Sequence, residues 1–128
     1  MRLDHVNIAA PLDLMEKVKD FYCAALLLET GPRPDFGVPG YWLYGDDKPI
    51  VHLIESDNHS QGDAPPHLDH VAFSLSGIEQ YTSRLKSLDV EYFSFHNSAI
   101  DATQVFCNDP CGIGVEAIFA GETLPEEA

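Results

Sequence analysis

The sequence predicts an α+β fold built from two copies of one βαβββ module. Three observations carry that prediction. Leu3-Asp4-His5-Val6 and Leu68-Asp69-His70-Val71 open the two halves as near copies of each other. Behind each copy the apolar pattern runs in one order: a strand, an amphipathic helix, then three strands. The last strand of each half also carries a polar, metal-competent side chain at matching register. His5 to His52 is 47 residues and His70 to Glu116 is 46, with Val51-His52-Leu53-Ile54 lying against Val115-Glu116-Ala117-Ile118. Residues 1–128 are therefore read as one domain of two modules, about 1–56 and 68–120, joined by a linker at 57–67 and followed by an acidic tail at 121–128.

Residues 3–9 alternate, with Val6 and Ile8 on one face and His5, Asn7 and Ala9 on the other, the period of a half-buried strand. Pro11 ends it, and Asp13 with Glu16 offers a capping box to a helix whose stripe is Leu14, Val18, Phe21, Tyr22, Ala25 and Leu26. A strand is expected at 27–30, then a loop of turn formers around Gly31-Pro32-Arg33-Pro34 and Gly37-Val38-Pro39-Gly40. Tyr41–Tyr44 and Ile50–Glu55 read as strands around a Gly45-Asp46-Asp47-Lys48 hairpin turn. In the second half Val71, Phe73 and Leu75 face away from His70, Ala72 and Ser74. Ser76 with Glu79 suggests a second capping box before a helix with the stripe Ile78, Tyr81, Leu85 and Leu88. Strands follow at 90–95, 104–107 and 115–119, with Asn108-Asp109-Pro110-Cys111-Gly112 as the last turn and a frayed acidic end from Gly121.

Charge bounds the partners. With 21 acidic against 7 basic residues the chain carries −14, a field that repels nucleic acid backbones and anionic lipid surfaces. A highly anionic ligand is equally disfavoured. No apolar run is long enough to span a membrane, and the strand-like pattern starts too early for a signal peptide, so a cytoplasmic protein is expected. Three cysteines, Cys23, Cys107 and Cys111, with no C-x-x-C pair, fit ordinary thiols in a reducing compartment.

The side chains at the repeated register suggest metal chemistry. His5 and His70 share their faces with the small residues Asn7, Ala72 and Ser74, leaving room for a cation, water and substrate. Glu116, flanked by Val115 and Ala117, is costly to bury unless it is paired or bound to a cation. Two imidazoles and one carboxylate suit Fe(II), while adding His52 gives a set that would also hold Ni(II), Zn(II), Co(II) or Mn(II). His52 is either the fourth ligand or a base and hydrogen-bond donor beside the others. His59, His67 and His96 are read as solvent-exposed loop residues.

These residues, together with Phe21-Tyr22, Gly40-Tyr41-Trp42-Leu43-Tyr44, Leu68-Asp69-His70-Val71-Ala72-Phe73 and Asp109-Pro110-Cys111-Gly112 before Val115-Glu116, resemble the vicinal oxygen chelate superfamily over residues 2–120. That group includes glyoxalase I, bleomycin and fosfomycin resistance proteins and type I extradiol dioxygenases. The resemblance implies a cupped mixed sheet, with His5, His52, His70 and Glu116 as metal ligands. It implies a small substrate with adjacent oxygens, a homodimer, and a divalent metal as cofactor, Fe(II) ahead of the others. Dioxygenase chemistry of the extradiol type is the leading expectation, with Trp42 and Tyr44 as the substrate's aromatic wall or, equally, as core or dimer packing. A glyoxalase-type lyase or isomerase, or a metal-free drug- or metabolite-binding protein, are the alternatives. Two places depart from the family pattern: Ala24-Ala25-Leu26-Leu27-Leu28 lacks the usual glycine after the first helix, and Cys111 and Ile113 replace acidic and amide residues in the final turn.

Overall fold

A computed structural model describes residues 1–59 and 67–125; the middle of the expected linker and the last three residues lie outside the described residues. The chain divides into two compact units, Met1–Asp63 and Ala64–Ala128. The first contains β1 (Val6–Ala10), α1 (Leu12–Ala25), β2 (Glu29–Gly31), β3 (Gly40–Gly45) and β4 (Lys48–Glu55). The second repeats the order with β5 (His70–Ser74), α2 (Ile78–Ser87), β6 (Phe93–Asn97), β7 (Ala102–Asn108) and β8 (Gly114–Ala120). Each unit has its own four-stranded mixed sheet, ordered β1-β4-β3-β2 and β5-β8-β7-β6. In both, the first strand runs parallel to the last, the arrangement that a helical crossover permits.

Register makes the repeat quantitative. Across the first sheet, Asn7, His52, Trp42 and Gly31 stand opposite one another in a row. In the second sheet the row is Ala72, Glu116, Phe106 and Phe93. His52 and Glu116 therefore hold equivalent places. Their neighbours along the strands point the other way and form the cores: Val51 and Leu53 pack with Met15, Val18 and Tyr22, all at most 2% exposed, and Val115 and Ala117 lie as deep in the second unit. Burying each larger apolar side chain is worth roughly 1.5–3 kcal/mol, so a one-residue slip that exchanged faces would be ruinous.

Several local expectations are corrected. Neither capping box forms. Pro11, with φ near −56°, holds the cap position of α1, and Glu16 instead accepts a 2.7 Å hydrogen bond from the Tyr41 hydroxyl. At α2 the cap is Gly77, whose φ of 83° is cheap only for glycine. Its free N–H groups find an acid from the other end of the unit: the N–H groups of Gly77 and Ile78 donate to the Glu122 carboxylate at 2.9–3.2 Å. Thr103 donates to the Glu122 carbonyl oxygen at 2.5 Å and Leu124 is buried, so residues 121–125 are docked rather than frayed. Met15 replaces Leu14 in the buried stripe of α1, and Leu88 is 41% exposed.

The absent glycine after α1 leaves a visible trace. Leu27 follows the helix with φ of 59°, and Asp89 takes the same left-handed turn after α2 with φ of 57°. This conformation costs a residue with a Cβ about 1–2 kcal/mol. The Asp46-Asp47 pair, at φ of 51° and 65°, closes the β3–β4 hairpin as expected.

Candidate functional site

In the second unit the site begins with the strand register. His70 is the first residue of β5 and lies opposite Gly114, two places from Glu116 on the neighbouring strand. Gly114 is required there, because a Cβ would fall 2.6 Å from the Asp69 carbonyl oxygen and 2.8 Å from the His70 Cβ. His70 Nδ1 donates to the Asp69 carboxylate at 2.8 Å, which directs Nε2 toward Glu116 Oε1 at 3.2 Å. Glu116 is only 5% exposed. Its second oxygen accepts from Gln104 Nε2 at 3.0 Å, and Asn97 donates in turn to the Gln104 carbonyl at 3.4 Å. The hydrogen bond to Asp69, and to a lesser degree the Glu116 charge, raise the His70 pKa above its ordinary value.

This pair has the spacing of two ligands. Bonds of about 2.1 Å meeting at 90–110° place their donor atoms roughly 3.0–3.4 Å apart, and the His70–Glu116 separation is 3.2 Å. Asp69 supplies the outer hydrogen bond that metal-binding histidines characteristically make.

The first unit repeats the clamp but not the rest. His5 Nδ1 donates to Asp4 at 2.7 Å, again leaving Nε2 as the free nitrogen. His5 stacks on His52 with centroids 3.8 Å apart and planes within 10°, and His52 stacks on Trp42 at 4.3 Å and 15°. An imidazole binds a cation through a lone pair in its ring plane. Two nearly parallel rings at this separation cannot both aim in-plane lone pairs at one ion. His52 is further committed by a 3.0 Å hydrogen bond from Nε2 to the Pro49 carbonyl oxygen, which leaves Nδ1 as the acceptor. Desolvation, followed by the neighbouring His5, lowers the His52 pKa. The stack lines a cavity of about 370 Å³ that also includes Asn7, Arg33 and Phe36. On the His70 side, Phe93 and Phe106, stacked at 4.9 Å, line a cavity of about 520 Å³.

The structure thus gathers the expected ligands as two pairs, His5 with His52 and His70 with Glu116. Among the described residues no group of three or more His, Cys, Asp or Glu side chains is assembled to hold a metal. Trp42 lines the His5 cavity, but Tyr44 does not: its hydroxyl donates to the Pro32 carbonyl oxygen at 2.5 Å. The cause is a register shift between Leu43 and Tyr44, which breaks the alternation on which a shared face depended. His96 lies within β6 and contacts Thr103 Oγ1 at 3.1 Å, so it is not a loop residue. His59 accepts or donates a 2.8 Å hydrogen bond with Ser56 and, like His67, is exposed. Asp4, Asp69 and Gln104 are the site residues that sequence reasoning passed over. The two aspartates had a signal, since both belong to the duplicated motif, whereas Gln104 had none.

Comparison with known proteins agrees with this architecture. The family model of the Glyoxalase/Bleomycin resistance protein/Dioxygenase superfamily matches residues 2–117. A glyoxalase family protein from Bacillus anthracis superposes with a TM-score of 0.75 at 24% identity, covering 94% of this chain and 95% of that one. The lactoylglutathione lyase of Agrobacterium tumefaciens gives 0.68 at 14% identity, with 94% of each chain covered. The fosfomycin resistance protein FosX of Listeria monocytogenes, in a mutant form complexed with Mn(II) and a dihydroxypropylphosphonic acid, gives 0.72 at 16% identity over 98% of this chain and 95% of that one. No curated protein matches the sequence. With two βαβββ modules in place and a family match spanning nearly the whole chain, the protein belongs to the glyoxalase/bleomycin resistance/dioxygenase superfamily.

Proposed function

We propose that this protein is a divalent-metal-dependent enzyme acting on a small substrate with adjacent oxygens, with His5, His70 and Glu116 as the cation's ligands. One observation carries the reading: the duplicated Asp–His clamp, Asp4 on His5 and Asp69 on His70, which in both modules ties down Nδ1 and leaves Nε2 for a second partner. Glu116 adds a buried carboxylate whose partners, Gln104 and His70, leave it poised for a cation. The donor set fits Fe(II), Mn(II), Ni(II), Co(II) or Zn(II), and FosX, a protein of the same fold, was crystallised with Mn(II). When bound, such an ion supplies Lewis acidity toward oxygens on the substrate.

The chain's own residues then have distinct tasks. His52, held by the Pro49 carbonyl oxygen, keeps Nδ1 as a proton acceptor beside His5, while Trp42 fixes the ring from the other side. Gln104 holds one Glu116 oxygen and so leaves the other for the ion. Phe93 and Phe106 in one unit, and Trp42 in the other, offer flat apolar walls that favour a ring-bearing substrate, which supports extradiol-type dioxygenase chemistry over lyase chemistry. We place the enzyme in the cytoplasm as a homodimer; no described helix is long and apolar enough to cross a membrane.

The test is metal content after anaerobic preparation, followed by catechol turnover with Fe(II) and methylglyoxal-hemithioacetal turnover with Ni(II) or Zn(II). Turnover only in the second assay replaces dioxygenase with lyase chemistry. A second reading, a metal-free binding protein, rests on the cavity beside Phe93 and Phe106, whose stacked rings can hold a ligand without a cation. It predicts full ligand affinity in chelator-treated protein and no bound metal.

A further inference from the structure

The geometry points to Arg33 as the carboxylate-binding group of a recognition site for a small aromatic carboxylate, in the cavity beside the His5–His52–Trp42 stack. In a chain of net charge −14, this cavity is lined by Arg33, His5, His52 and Asn7 with Phe36 and Trp42, and by no acidic residue. Such a lining concentrates positive potential where the surroundings are strongly negative. The cavity, at about 370 Å³, has room for a single-ring ligand.

Arg33 is positioned for a guest. Its Nε is buried and has no hydrogen-bond partner among the described residues, while the guanidinium lies 5.0 Å over the Phe36 ring. A buried donor without a partner is costly, and a carboxylate meets the planar fork of a guanidinium with two parallel hydrogen bonds. The register shows why this side chain fits. Gly40 lies two residues before Trp42, the place that Gln104 holds before Phe106 in the other sheet. The Leu53 carbonyl oxygen, 2.3 Å from where a Cβ would stand, keeps this position a glycine, and the Arg33 guanidinium lies over the space so left, with Nη2 2.7 Å from the same point. Where the second unit puts an amide on Glu116, the first puts a guanidinium over an open cavity. The stacked His52 and Trp42 rings give a flat wall to the ligand's ring, and a single guanidinium matches a single carboxylate. This inference rests on the proposed role of the His5 face, but its test is made without metal, so the two can fail separately.

Trp42 is the only tryptophan in the chain, so intrinsic fluorescence reports on this cavity. Metal-free full-length protein is titrated with benzoate and with benzamide, its neutral counterpart. Benzoate is expected to quench Trp42 and to bind about ten- to hundredfold more tightly than benzamide, the range of a charge-assisted hydrogen bond. Arg33→Gln is expected to bring benzoate down to the benzamide level, and Arg33→Lys to keep only part of the preference. Equal affinities in the wild type, or no saturable quenching by either compound, would overturn the inference whether or not a variant folds. So would a folded Arg33→Gln protein that binds benzoate as the wild type does. Selectivity in a protein that takes up no divalent ion when loaded separately with Mn(II) or Fe(II) would sink the enzyme reading and leave this one standing; metal uptake without selectivity would do the reverse.

Discussion

Replacing Asp69 with alanine separates orientation from stability. The Asp69 side chain is 92% exposed, and its one hydrogen bond among the described residues is the 2.8 Å contact with His70 Nδ1. An exposed ion pair of this kind contributes little to folding, because water competes for both partners. Its effect on metal binding is different. Without the clamp, the His70 ring is free to rotate and to exchange tautomers, and loss of such an outer partner typically weakens a metal site by about 10- to 100-fold, or roughly 1.4–2.8 kcal/mol. Isothermal titration with Mn(II) or Zn(II) should show that loss in Asp69→Ala, while the urea midpoint of the metal-free variant stays at the wild-type value. Asp4→Ala should behave alike, since His5 carries the same clamp. Unchanged metal affinity in both variants would refute the assignment of these aspartates. A fall in stability as large as the fall in affinity would show that they serve the fold.

Other consequences can be measured independently. Leu27→Gly should raise stability by about 0.5–1 kcal/mol in chemical denaturation, because an exposed leucine at φ of 59° gives way to the one residue that tolerates it. Removing the Glu122 cap with Glu122→Ala should cost about 1 kcal/mol, or about 3–5 °C in Tm, with α2 amides exchanging faster. Burial, with a smaller contribution from Asp109, pushes the Cys111 thiol up to about 11, and burial likewise raises Cys107. A folded pKa above the unfolded 9.0 means the Cys111 contribution to stability is complete below pH 9 and lost as pH rises through about 11. Alkylation at Cys111, followed by peptide mapping, should therefore stay slow in the native protein until that window, and become fast in denaturant at lower pH.

Period-two alternation and the repeated motif made the modular fold legible, because each strand has one buried face and the parallel first and last strands must be spanned by a helix. The equivalence of His52 and Glu116 was legible for the same reason: counting along paired strands is counting in space. Local chemistry was harder. Asp13 and Ser76 resemble caps, yet Pro11 and a left-handed Gly77 hold those positions, and Glu122 reaches α2 from 44 residues away in sequence. A single register shift next to Tyr44 undid a face assignment that strict alternation supported. The ring stack of His5, His52 and Trp42 depends on side-chain angles that no spacing rule encodes.

Metal stoichiometry in paired variants tests the central claim most directly. Wild-type protein, loaded with Mn(II) or Fe(II) and freed of excess ion, should hold one divalent ion per chain by elemental analysis. His5→Ala in the first module and Glu116→Gln in the second should each abolish it, while the circular dichroism of both stays native. Retention of the ion after either substitution, or a wild type that binds none, would contradict the account.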